Sequence, residues 1–233
     1  MSTQQQAEKP MVAIFDIDGT LVDTNYQHAL SWYRALRDKQ FIVPIWQIHR
    51  AIGMGSDRVV TALLSEEVEK EHGDELRDAE GSHYEQMAGE VEPMKGAHDL
   101  LAELTERGHP IILASSAEES DVEHYLELLD AGDLIDAYTT SADVKASKPE
   151  PDIVHAAIEK AGGGVAVMIG DSTWDCKAAS RAEVPSIGVL TGGFSEQELT
   201  EAGASIVFDS VEHLREHLRG VSLSDTVSGS DDG

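Results

Sequence analysis

"MVAIFDIDGT" (residues 11–20) decides the reading of this chain. Five apolar residues with no polar break suit a strand buried on both faces. They run into Asp16 and Asp18, which flank Ile17, and then into Gly19 and Thr20. Aspartate is a poor strand former and costly to desolvate. A turn needs one such residue before glycine, so two acids in alternation at a strand end point to a site. A lone Asp-x-Asp would serve equally as a turn or cap. What surrounds it therefore matters.

Working outward, similar apolar runs recur at "PIILA" (110–114), "VAVMI" (165–169), "PSIGVL" (185–190) and "SIVF" (205–208), with a weaker one at "DAYTT" (136–140). From residue 110 onward each is followed by a stretch with helical periodicity, such as "EPDIVHAAIEKAG". Repeated β–α units predict an α/β fold, a doubly wound parallel sheet covered by helices on both faces. Residues 24–92 read differently. Apolar positions there recur at helical spacing without a convincing strand, so a helical domain is inserted after the first strand. The core domain is expected at 11–23 and 93–219, with Pro93 marking the return. The tails, 1–10 and 220–233, are polar and expected to be disordered.

The 233 residues carry 44 acids against 17 Lys plus Arg, a formal charge of −27. Such a surface repels nucleic acid and anionic membranes, so neither is an expected partner. No apolar run is long enough to span a bilayer. The N-terminal decapeptide lacks the basic start and apolar stretch of a signal peptide, and the single cysteine, Cys176, allows no internal disulfide. A cytoplasmic protein is expected. The charge poses a question for any anionic substrate, which would need a locally positive site.

In a doubly wound sheet, ligands bind beyond the carboxyl ends of the strands. Asp16 and Asp18 follow the first run, Ser115 and Ser116 the second, Lys148 lies in "KASKPEPD", and Asp171 and Asp175 lie in "GDSTWD". Carboxylates, hydroxyls and one amine at a single edge suit Mg²⁺ and a phosphoryl group. A carboxylate can attack phosphorus, a second can move the proton of the leaving alcohol, and lysine with Mg²⁺ reverses the local charge. Plainer roles exist as well. The serines suit a helix N-cap, Asp175 could cap the helix that follows it, and Lys148 could be a surface lysine.

The four motifs in this order, "DIDGT" (16–20), "LASS" (113–116), "SKPEPD" (147–152) and "GDSTWD" (170–175), resemble the haloacid dehalogenase-like phosphatase superfamily, over residues 11 to about 219. The resemblance implies a Rossmann-like core with an inserted α-helical cap. It implies Asp16 as nucleophile, Asp18 as general acid/base, and Ser115 and Lys148 as phosphoryl partners. Mg²⁺ would be held by the Asp16 carboxylate, the Asp18 backbone carbonyl and Asp171, with Asp175 nearby. Dehalogenation is not implied, because the superfamily's dehalogenases lack the acid at the Asp18 position.

Candidates for holding substrate are Ser116, Gly19, Thr20, His28 and Arg50. In the cap, His28 and Trp32 stand where β-phosphoglucomutase-like enzymes also have His and Trp; both could equally be helix-packing residues. Arg50 and Arg58 flank a glycine-rich loop, and Arg50 could grip a second anionic group. Trp46 and the cap's Leu and Val positions read as core. The expected activity is Mg²⁺-dependent hydrolysis of a small phosphorylated metabolite, such as phosphoglycolate or a sugar phosphate, through an aspartyl phosphate. A phosphosugar mutase is the alternative, against which stand Gly170-Asp171 and Ser116, where familiar mutases have Glu-Asp and Asn. A receiver-type phosphoacceptor domain is the third reading; it would be about half this length and lack a cap. Oligomeric state is not legible.

Overall fold

β1 (Val12–Phe15) is buried along its whole length and pairs on both sides. The computed structural model describes residues 10–115, 117 and 119–228. After β1 come four helices in succession: α1 (Asn25–Asp38), α2 (Ile45–Ala51), α3 (Ser56–Leu63) and α4 (Glu66–Glu85). α5 (Ala97–Glu106) then leads back to β2 (Ile111–Ala114), followed by α6 (Glu119–Leu129), β3 (Ala137–Thr139), α7 (Asp152–Lys160) and β4 (Ala166–Gly170). The chain closes with α8 (Thr173–Arg181), β5 (Ser186–Val189), α9 (Glu196–Ala202), β6 (Ala204–Phe208), α10 (Val211–Leu218) and α11 (Leu223–Ser228).

All six strands are parallel, in the order β3-β2-β1-β4-β5-β6. Alternate strand residues feed two cores, as the period of two requires. Ala13, Phe15, Ile111, Leu113, Val167 and Ile169 pack with α5 and α10 on one face. Val12, Ile14, Ile112, Ala114 and Met168 pack with α7 and α8 on the other. Both faces being buried explains the unbroken apolar runs. β3 pairs with β2 alone and is only partly buried, which is why "DAYTT" reads weakly.

The helical stretch has its own apolar cluster, which includes Trp32, Leu36, Ile48, Val60 and Leu76. Its exit and return run side by side: Val22 bridges Pro93, and the Asp23 amide donates to the Glu92 carbonyl at 3.0 Å. Two expectations need correction. Trp46 is 64% exposed: α2 is only seven residues long, turns Ile48 and Ala51 inward, and leaves Trp46 on its outer side. The expected tail from 220 carries α11, anchored by buried Leu223, which joins the same core as α10. Residues 1–9 and 229–233 of the two expected tails lie outside the described residues.

Candidate active site

β1 is the point where the winding reverses, with β2 on one side and β4 on the other, so a crevice opens at its carboxyl end. Asp16 occupies that end. Its amide donates to the Ile169 carbonyl at 2.9 Å, extending the ladder by one residue and fixing where the carboxylate starts. The chain then turns sharply: the Leu21 amide returns to the Ile17 carbonyl at 2.9 Å and the Gly19 amide to the Val22 carbonyl at 2.7 Å. Gly19 sits at φ +76°, and a Cβ there would lie 2.1 Å from Asn25 Nδ2 and 2.5 Å from Asp171 Oδ2. Only glycine fits this turn.

Lys148 arrives from the loop before α7. Its ammonium lies 2.5 Å from Asp16 Oδ1 and 2.7 Å from Asp175 Oδ1, all three side chains being buried. Asp175 also serves as the cap expected of it: Oδ2 accepts from the Ser172 hydroxyl at 2.5 Å and the Ser172 amide at 3.0 Å. Asp171, just beyond β4, accepts from Thr20 Oγ1 at 2.7 Å and from Asn25 Nδ2 at 2.8 Å.

Oxygens of Asp16, Asp171 and Asp175 lie within 4.8 Å of one another, all buried. Burial and the neighbouring Asp175 carboxylate hold Asp16 well above the usual carboxylate range and push Asp171 up to about 7. One ammonium does not balance three carboxylates. A set of buried oxygen donors with surplus negative charge fits a hard divalent cation. Asp18's carboxylate stands apart from this set. It accepts from Thr24 Oγ1 at 2.7 Å and faces His28 Nε2 at 3.4 Å. Burial disfavours its charge, but the His28 and Thr24 contacts outweigh that and lower it.

His28 itself lies between two acids, with Nδ1 3.0 Å from Glu80 Oε1, and stacks on Tyr84. Burial favours the neutral ring, yet Asp18 and Glu80 raise it to about 10. A cavity of about 280 Å³ separates the strand ends from the helical insertion, lined by Asp16, Asp18, Ser115 and Lys148 below and by His28 and Trp32 among others above. Ser115 is buried, and its hydroxyl accepts from the Ala117 amide at 3.0 Å, so it both faces the cavity and shapes the loop.

Three expectations about substrate contacts are corrected. Gly19 and Thr20 lie behind the carboxylates, Gly19 leaving room for Asp171 and the Thr20 hydroxyl donating to it; neither lines the cavity. Arg50 is turned to the far side of α2, where it pairs with Glu198 and covers the Phe194 ring at 3.8 Å. It lines a separate groove between the insertion and α8 and α9. Arg58 is drawn to Glu150, at 3.5 Å. Ser116 lies outside the described residues. Sequence reading missed Asn25, Glu80 and Tyr84. Their partners are far away in the chain, and an ordinary helix would use the same residue types.

A Rossmann-order sheet with an Asp-x-Asp pair at its switch point, opposed by a buried lysine and two late acids, marks the haloacid dehalogenase-like class. The family model described as "Haloacid dehalogenase-like hydrolase" matches residues 13–189, and the chain belongs to that family. It is an enzyme of the family's phosphatase kind. Among its relatives is a phosphoglycolate phosphatase of Agrobacterium fabrum, 31% identical over 206 residues, which cover 85% of this chain and 88% of the relative. A hydrolase from Pseudomonas syringae of known structure is 32% identical, with a TM-score of 0.85 over 91% of this chain and 99% of that one. A β-phosphoglucomutase from Clostridium difficile, 20% identical with a TM-score of 0.79 over 91% and 96% of the two chains, shares the fold.

Proposed function

We propose that this protein is a Mg²⁺-dependent phosphomonoesterase that hydrolyses a small phosphorylated metabolite through a phosphoenzyme on Asp16. The observation that carries the reading is the buried contact between Lys148 and Asp16 at the sheet's switch point, beside Asp171 and Asp175. Asp16, Asp171 and Asp175, with the Asp18 backbone carbonyl, are the residues that would hold Mg²⁺. When bound, the ion would neutralise the carboxylates and polarise the phosphoryl group.

Asp16 attacks phosphorus, the P–O bond to the alcohol breaks, and an aspartyl phosphate forms. Lys148 orients Asp16 and carries charge of the phosphoryl oxygens, while the Ser115 hydroxyl donates to one of them. The departing alkoxide takes a proton from the Asp18–His28 pair, in which the two side chains lie 3.4 Å apart. In the second half, the same pair accepts a proton from water as it attacks phosphorus, and inorganic phosphate and free Asp16 are regenerated. Residues 24–92 act as a cap over residues 11–23 and 93–219, excluding water while the ester is bound.

The test is phosphate release from p-nitrophenyl phosphate and a panel of metabolite esters, with Mg²⁺ and with EDTA, by wild type and Asp16→Asn. Turnover lost with either treatment supports the reading. Turnover that survives Asp16→Asn contradicts it. The likeness to a mutase lies at an identity that speaks for the fold alone.

A further inference from the structure

The upper wall of the cavity carries charges that phosphoryl transfer does not use. Among the described residues, the cations lining it are Lys148, His28 and Arg77 of α4. Each already faces two carboxylates of this chain. Lys148 stands between Asp16 and Asp175, and His28 between Asp18 and Glu80. Arg77 donates from Nη1 to Glu69 Oε1 and from Nη2 to Asp74 Oδ1, both at 2.8 Å. Arg50 and Arg58 are paired elsewhere, and Lys145 is exposed in a neighbouring depression that shares only Ser56 and Ser141 with the cavity.

The wall also carries the carboxylates of Glu80, which faces His28, and of Asp121, the hydroxyls of Ser56 and Ser141, and the apolar surface of Trp32 and Met54. An anion entering there gives up hydration, meets like charge and finds no uncommitted cation. A hydroxyl fares differently, because it can donate to a carboxylate and accept from serine. We propose that this cavity selects phosphomonoesters of uncharged, hydroxylated alcohols and rejects those whose alcohol carries a second anionic group. The inference rests on the phosphatase reading above and narrows it. Phosphoglycolate falls in the rejected class.

Matched ester pairs test it: glycerol 3-phosphate against 3-phosphoglycerate, and 2-hydroxyethyl phosphate against phosphoglycolate. Each pair exchanges a hydroxymethyl group for a carboxylate at nearly constant size. The expected result is a kcat/KM at least ten-fold higher for the uncharged member of both pairs, with the gap mainly in KM. Equal or reversed values overturn the proposal. Glu69→Gln releases one arm of Arg77 without touching the cavity, and should lower KM for the carboxylate esters several-fold while leaving the uncharged ones unchanged. Unchanged KM for the carboxylate esters removes the pairing of Arg77 as the cause and overturns the proposal as stated. If no ester turns over, the phosphatase reading fails, and the same pairs used as ligands in thermal-shift titrations still decide. Stabilisation at lower concentration by the uncharged members supports the proposal, and by the carboxylates overturns it.

Discussion

The Lys148 ammonium and the Asp16 carboxylate meet at 2.5 Å, both buried, from positions 132 residues apart. Neither charge would be stable there alone, because an unpaired ion in the interior loses its hydration without replacement. The lysine therefore lets the acids be buried, and in the proposed mechanism it also meets the phosphoryl group.

Lys148→Ala should separate those tasks from a surface role. Breaking a buried pair typically costs about 3–5 kcal/mol, and loss of a charge-stabilising group in a dry site lowers kcat by about 10²–10³-fold. Urea denaturation and phosphate release measure the two effects. A variant as stable and active as wild type would show that the pair is dispensable.

Asn25 and Thr20 donate to the two oxygens of Asp171, at 2.8 and 2.7 Å. Partners of this kind orient a metal ligand, and their loss usually weakens metal binding about 10–100-fold. Asn25→Ala is expected to raise the Mg²⁺ concentration needed for half-maximal activity by that factor, with kcat at saturating Mg²⁺ much less affected. An unchanged metal dependence would remove the positioning role.

Gly19→Ala places a methyl group in the left-handed region and against Asn25 and Asp171. The backbone alone costs about 1–2 kcal/mol, and the overlap adds to it. A loss of at least about 2 kcal/mol is expected in equilibrium denaturation, together with a higher Mg²⁺ concentration for half-maximal activity.

Arg50 lies outside the cavity, over Phe194 and beside Glu198. Arg50→Ala should leave KM for any ester within about two-fold and lower stability by about 1 kcal/mol, the scale of a half-exposed cation–π contact and ion pair. A ten-fold rise in KM would instead return Arg50 to substrate binding.

The parts of this molecule that were legible in the sequence are those governed by short-range rules. Buried parallel strands read as apolar runs, and the polar residue ending each run falls at one edge whatever the rest of the chain does. Asp16, Ser115 and Asp171 are legible that way, whereas Lys148, nine residues beyond β3, is legible only from the "KASKPEPD" stretch. Helix periodicity tells which residues face inward but not what they face. His28 could be recognised as a candidate, yet Glu80, 52 residues away, holds its other nitrogen. Arg50 and Trp46 failed for a related reason: on a seven-residue helix, the side that meets the core domain and the side that meets solvent cannot be told apart by period. The end of the chain reads as a tail because its few apolar residues, such as Leu223, are diluted by serine and aspartate.

The proposed mechanism requires that Asp16 become phosphorylated during turnover. Wild-type enzyme, quenched in acid during steady-state hydrolysis of p-nitrophenyl phosphate and reduced with borohydride, should yield homoserine at position 16, located by peptide mass spectrometry. That product reports an acyl phosphate on the carboxylate. Undiminished turnover with no label at Asp16, or a label on another side chain, would contradict the account.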